Sequence, residues 1–350
     1  MLARSCPNCG NPAGRRQTTM SETRSGTARR VLVTGSRGKS SIVRLLHAAC
    51  TDAGLRSYAR ITGVVPRELG PDGVRAINRS SGAHVGEMRW WLRGIPADAE
   101  AIILENSAIT PEFQELAGRW LRPEITVLTN TVPDHQEAWG PTGACAKEVL
   151  VKGIPAGGQV IVPASLKSDR HLLALLDSRQ CRITFAESVS EVEEPHRAVN
   201  LGLALATADR LGIPEDGALE SMLRLQPGAH EFRVVDHGGA ALAMAFSAND
   251  IASTRSLFHS LSWPEEETRL IYNHRADRPA RFRSFVSWLG RPWRQVLIIG
   301  DRPRWRAGIG CYTRIKTVEE LLGLARPGDR IFGCGNMAGV PLSLTAVADR

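Results

Sequence analysis

Residues Gly35-Ser36-Arg37-Gly38-Lys39-Ser40-Ser41 put two glycines, a lysine and paired hydroxyls into seven positions. Glycines let backbone N–H groups close around anionic oxygens, and a lysine can neutralise charge on terminal phosphates. Ser40 can ligate a divalent cation. A short apolar run, Val31-Leu32-Val33, precedes the loop, and Ile42, Leu45, Leu46 and Ala49 follow at helical spacing. A strand, a loop and a helix N-terminus in that order make a phosphate cradle. The usual Walker spacing would place its first glycine at Val33; here the first is Gly35, so the loop is a shorter variant. These features predict an enzyme that uses ATP.

Two further groups follow at the ends of predicted strands. Glu105 closes the apolar run Ala101 to Leu104, and Asn130 follows Ile125 to Thr129, with Asp134-His135 just beyond. In parallel sheets ligands bind at the carboxyl ends of strands. A carboxylate and an imidazole there can hold Mg²⁺ against phosphate oxygens. Alone, Glu105 reads equally well as a salt-bridged surface group and His135 as a loop residue. Behind a phosphate loop, in this order, both read as functional.

The elements that must position these residues alternate along the chain. Strands are predicted at Val31–Val33, Ala101–Leu104, Ile125–Thr129, Val160–Val162 and Ile183–Phe185, with helices between them and a long helix from Pro195 to Leu211. A second alternation follows, with strands at Ala241–Phe246, Leu270–Tyr272, Val296–Ile299 and Arg330–Phe332. Its predicted helices are Ile251–Leu261, Ala280–Leu289 and Val318–Ala325. The fold class this implies is α/β: a P-loop-containing, mostly parallel sheet domain over 29–230, then a smaller Rossmann-like α/β domain over 231–350. Residues 1–28, rich in Arg, Ser, Thr and Gly, read as a flexible leader.

Composition narrows the classes. The 350 residues are 43% hydrophobic and 23% charged, which suits a globular chain with a sizeable core. No apolar run is long enough to span a bilayer, and the N-terminus lacks a signal-peptide core. A cytoplasmic location is expected, with docking at the inner membrane face through a partner left open. The formal net charge of +8 favours anionic partners. Aromatics are only 5% and form no stripe with the basic residues, so nucleic acid is not expected as a partner. The seven scattered cysteines read as reduced thiols. Cys6 and Cys9 form half of a zinc knuckle without a second pair, or part of a disordered tail. Gly333 to Gly339 lacks the context of a dinucleotide fingerprint and reads as a close-packing turn. Trp90-Trp91 reads as core or a partner surface on a helix after Gly86.

The shorter loop resembles that of the Mur ligase superfamily, and Glu105, Asn130, Asp134 and His135 continue the resemblance in order. Within that superfamily the chain looks like the ligase subunit of the poly-γ-glutamate synthase family. The segments that carry this are Pro111-Glu112-Phe113-Gln114, Arg122 to Gly140, Phe246-Ser247-Ala248-Asn249-Asp250, and Asn273-His274-Arg275-Ala276-Asp277-Arg278-Pro279. The loop lies near the start of the chain, whereas Mur ligases acting on UDP-linked substrates carry a domain before it. That argues against a cell-wall precursor as substrate.

The resemblance implies an ADP-forming acid–amino-acid ligase using ATP and Mg²⁺. A carboxylate would be activated as an acyl phosphate and joined to an amino acid amine, in poly-γ-glutamate and capsule synthesis. It implies catalytic roles for Lys39, Glu105 and His135, with Ser40, Glu105 and His135 on the metal. Nucleotide contacts would come from Gly35 to Ser41, Asn130, Asn200, Asn249, Asp250 and Arg275. Asn200 stands where the superfamily has an asparagine near adenine. The usual ribose-binding aspartate is replaced by Ala245, leaving Asn249 or Asp250 to substitute. Leu150 stands where many members have a carbamylated lysine, and Lys147 is the neighbouring candidate. A small membrane-embedded subunit is the implied partner, and a homo-oligomer is compatible. The alternatives are a Mur-like ligase of another small carboxylate, of folate or natural-product type, a P-loop ATPase without ligase activity, and a P-loop kinase.

Overall fold

A computed structural model describes residues 28–62, 65–79, 83–140, 145–226, 228, 230–248, 250–304 and 308–347. Cys6, Cys9 and Asn249, with the leader assigned to 1–28 save its last residue, lie outside them.

The first sheet contains β1 (Arg29–Thr34), β2 (Ser57–Ile61), β3 (Arg67–Gly70), β4 (Gly73–Ala76), β5 (Ala101–Glu105), β6 (Ile125–Leu128), β7 (Gln159–Pro163) and β8 (Arg182–Ala186). Its helices are α1 (Lys39–Asp52), α2 (Glu87–Gly94), α3 (Gln114–Leu121), α4 (Gln136–Trp139), α5 (Ala146–Lys152), α6 (Arg170–Ser178), α7 (Pro195–Arg210) and α8 (Glu215–Arg224). The strand order is β4-β3-β2-β5-β1-β6-β7-β8. Pairing is parallel from β2 to β8, and β3 and β4 add an antiparallel edge.

Strand β1 is buried on both faces, which explains its unbroken apolar run. Val31 and Val33 pack with Ile42 and Leu46 of α1 and with Leu201 and Ala204 of α7. Leu32 packs on the opposite side with Met88 and Leu92 of α2 and Ala117 and Leu121 of α3. Because β1 lies between β5 and β6, with Val33 opposite Glu105 and Thr34 opposite Leu128, three adjacent strands end at one edge. That edge presents the Gly35–Ser41 loop, Glu105 and Asn130 together.

The second sheet contains β9 (Arg233–His237), β10 (Ala240–Met244), β11 (Thr268–His274), β12 (Gln295–Gly300), β13 (Cys311–Tyr312) and β14 (Arg330–Cys334). The helices are α9 (Ile251–His259), α10 (Pro279–Leu289), α11 (Val318–Leu322) and α12 (Val340–Val347). The order is β13-β12-β11-β14-β10-β9, with only β9 antiparallel. One face is filled by an aromatic cluster in which Phe258 meets Trp293 and Phe332 edge-on at 4.8 and 5.2 Å. Such contacts add to area burial.

The structure corrects several boundaries. The strand expected to reach Phe246 stops at Met244, and the helix expected to reach Ala325 stops at Leu322. The β2–β3–β4 antiparallel edge and β9 were not anticipated; their short, mixed polar sequences carry no clear period. Among the described residues no helix is long and apolar enough to cross a membrane.

Candidate functional site

The loop is shaped by two glycines in the left-handed region that disfavours side chains. Gly35 has φ +130°, and a Cβ there would lie 2.1 Å from Thr129 Oγ1. Gly38 has φ +80°, caps α1, and a Cβ there would lie 2.7 Å from Asn200 Oδ1. The structure therefore brings Asn200, from the middle of α7, against the loop.

The loop is also stitched to the segment after β6. Arg37 N donates to Asn130 Oδ1 at 3.2 Å, and Asn130 Nδ2 donates to Arg37 O at 3.0 Å. Thr129 Oγ1 donates to the same carbonyl at 2.5 Å, and Ser36 Oγ donates to Val132 O at 2.6 Å. Asn130 thus reaches the loop as a brace.

Lys39 folds over its own loop, donating to Gly35 O at 2.6 Å and Ser36 O at 3.3 Å. Burial pushes its pKa down, while the nearby Glu105 carboxylate pulls it up. Ser40 Oγ donates to Glu105 Oε2 at 2.8 Å. Glu105 is 3% exposed and also accepts from Thr62, at Oε1 from the hydroxyl (2.6 Å) and at Oε2 from the N–H (3.1 Å). Thr62 follows β2, a strand the sequence did not reveal, so it escaped notice. These oxygens suit Mg²⁺, which takes one or two carboxylates plus phosphates and keeps much of its water. No group of three His, Cys, Asp or Glu side chains that could hold a metal gathers among the described residues.

His135 has φ +44° and its Nε2 lies 3.5 Å from Asp134 Oδ2. Its ring meets Trp139 edge-on at 5.0 Å. Burial raises the pKa of Asp134, but the Arg37 and His135 charges outweigh it and hold the carboxyl below its usual range. Arg37 Nη1 lies 2.9 Å from Asp134 Oδ2, and its Nε donates to Asp250 Oδ2 at 3.1 Å. The other Asp250 oxygen caps α9 by accepting from Ser253 N at 2.7 Å. Asp250 is thus engaged by Arg37 and a helix cap, one bond on each oxygen.

Three other expected residues are placed differently. Ser41 Oγ donates to Glu231 Oε1 at 2.9 Å, which Arg44 also holds. Lys147 Nζ is 2.7 Å from Asp169 Oδ2, the cap of α6, and no described contact joins it to the loop. Arg275 is paired with Asp277 through two bonds, 2.9 and 2.6 Å. A cavity of about 750 Å³ opens near the start of α7, lined by Glu193 and Pro195 with Ala252, Arg255, Ser256 and His259 of α9.

A phosphate loop, an acidic residue at the end of the neighbouring strand and two separate α/β sheets are the features of the Mur ligase fold. The Mur ligase middle domain family matches residues 33–202, and the poly-gamma-glutamate synthase CapB C-terminal domain family matches residues 229–349. The chain is similar to Mur ligases in its first part and to CapB proteins along both parts. It is 26% identical to the PGA synthase CapB of Bacillus subtilis over 277 residues, 74% of this chain and 70% of that protein. It is 27% identical to the capsule biosynthesis protein CapB of Bacillus anthracis over 276 residues, 73% of this chain and 59% of that protein. The same fold recurs in a Yersinia pestis folylpolyglutamate synthase/dihydrofolate synthase complexed with AMPPNP and Mn ion. That structure shares 16% identity at a TM-score of 0.64, covering 92% of this chain and 89% of the other. MurF from Acinetobacter baumannii shares 13% at 0.63, covering 92% and 76%.

Proposed function

We propose that this chain is an ATP-dependent amide ligase that activates a carboxylate as an acyl phosphate and joins it to an amino acid amine, in poly-γ-glutamate synthesis. The observation that carries the reading is the Glu105 carboxylate, buried at the mouth of the phosphate loop and bonded to Ser40. The CapB relatives supply the polymer. We further propose residues 29–230 as the nucleotide-binding domain and 231–350 as the second domain.

ATP would lie with its terminal phosphates over Gly35 to Ser41. Lys39 would exchange the loop carbonyls for phosphate oxygens, a stronger charge-assisted bond. Ser40 and Glu105, with His135, are the residues that would hold a divalent cation, which would neutralise phosphate charge. The substrate carboxylate attacks the γ-phosphorus in line, forming an acyl phosphate as the bond to the β-phosphate oxygen breaks and ADP leaves. The incoming amine then attacks the acyl carbon, forming the amide, losing a proton and expelling inorganic phosphate. Water must be excluded between the steps, because it would hydrolyse the acyl phosphate. Asn200 would flank the base side of the nucleotide. Lys147, in its salt bridge with Asp169, would serve the packing of α5 on α6.

Incubation with ATP, Mg²⁺, glutamate or a glutamate oligomer, and hydroxylamine tests this. A hydroxamate appearing with ADP is the expected result. ATP turnover independent of any carboxylate would overturn the ligase reading, and a stable phosphorylated product would replace it with a kinase.

A further inference from the structure

From Arg275 to Lys316 the sequence holds eleven basic residues and two aspartates, a formal +9 against +8 for the whole chain. The rest of the chain therefore sums to −1, and the positive balance is a local property of the second sheet.

Position sorts these charges. At the amino edge, Arg269 and Arg294 pair with Asp329 at 2.8 and 2.9 Å, Arg291 with Glu265 at 2.8 Å, and Arg330 with Glu267. At the carboxyl edge stand Arg275, Arg278 and Arg281 after β11, Arg302 and Arg304 after β12, and Arg314 after β13. The acids on these loops are Asp277 and Asp301; at the same edge Asp250 stands at the start of α9 and Glu319 and Glu320 in the first turn of α11. Asp277 is taken by Arg275 at 2.6 Å. Asp301 Oδ2 accepts from Ala276 N at 2.8 Å, tying the two loops together. Arg302, Arg304 and Arg314 are exposed and have no acidic partner among the described residues.

The rim begins at the candidate active site. Arg281 donates to Asn336 Oδ1, and its charge acts on both Arg37 and Asp134. From there the rim crosses β11, β12 and β13, which are neighbours in the sheet. Two strand spacings take it about 10 Å sideways, further than one small anion reaches.

We propose that this edge is a track for an extended polycarboxylate chain, leading its reactive end to the phosphate loop. The identity of the polymer rests on the ligase reading above; the track does not. Surplus guanidinium groups on exposed loops suit carboxylates that repeat along a flexible chain, since each can be paired without burial.

The test measures binding without ATP, so that it stands apart from turnover. Fluorescently labelled γ-linked glutamate oligomers of increasing length are titrated by anisotropy at several salt concentrations. Affinity should rise with length and fall with salt. In the triple variant R302E/R304E/R314E, long oligomers should lose roughly tenfold or more in affinity. The variant R182E, a charge reversal at the start of β8, should bind them as the wild type does. Unchanged thermal midpoints show that the folds are intact. Affinity independent of length, wild-type binding by the triple variant, or displacement of the oligomer by duplex DNA at equal charge would each overturn the track. Failure of the hydroxylamine trap with length-dependent binding retained would remove the ligase reading and leave the track standing.

Discussion

At the residue scale, Lys39 illustrates how a binding group costs stability before its ligand arrives. It is half-buried and desolvated, and its two described bonds are to carbonyls of its own loop. Lys39→Ala should therefore abolish carboxylate-dependent ATP turnover while leaving the thermal midpoint equal or higher, because a desolvated charge is removed. A lower midpoint together with retained turnover would contradict both assignments. Glu105→Gln should lower turnover by roughly 10²-fold and raise the Mg²⁺ concentration needed for half-maximal rate, as a titration of rate against metal would read. His47, beside Ser57 Oγ at 2.9 Å, is a different kind of buried group. Burial lowers its pKa to about 4, against 6.5 when unfolded. The unfolded chain therefore binds a proton that the folded chain refuses. Stability should fall as pH drops from 6.5 toward 4, by up to about 3 kcal/mol. His47→Gln should flatten that slope in urea melts run across this window.

At the element scale, what could be read in the sequence was local. The phosphate loop, the strand ending in Glu105 and the helix carrying Asn200 all have strong periods or adjacent signals. Thr62 had none, because Arg67–Gly70 and Gly73–Ala76 are short and polar-rich, and their pairing with β2 is a tertiary outcome. Glu231 was hidden for another reason: it falls in the segment read as a boundary, yet it binds Ser41 and Arg44 of α1. The junction between strand, loop and helix depends on Gly38 in two ways, its positive φ and its closeness to Asn200. Gly38→Ala should cost about 1–2 kcal/mol from the left-handed backbone alone, plus the clash. Asn200→Ala in the same chain should recover the clash but not the backbone term, so urea melts of the double variant should fall between the single variant and wild type. Full recovery would show that the left-handed conformation is not required.

At the scale of the whole molecule, Arg37 joins what the sequence keeps 213 residues apart. Its guanidinium holds Asp134 of the first sheet's loop and Asp250 at the start of α9, and its Nη2 has no partner among the described residues. The phosphate loop is thus tied directly to the second sheet's first helix. Phosphate and Asp250 are both anions that suit the same guanidinium. If arriving nucleotide takes Arg37 from Asp250, then Asp250→Asn, whose amide oxygen can still cap α9, should tighten nucleotide binding by roughly 3–10-fold, about 1 kcal/mol. Arg37→Ala should weaken it. A double-mutant cycle on nucleotide Kd, measured by calorimetry, separates the two cases. Tightening in Asp250→Asn that disappears in the Arg37→Ala background identifies a bridge that opens on binding. Weakening in both single variants, with strong coupling, identifies a bridge that persists in the bound state and holds the second sheet over the nucleotide. The first outcome is expected, because Asp134 alone leaves Arg37 with one carboxylate and a free face for phosphate.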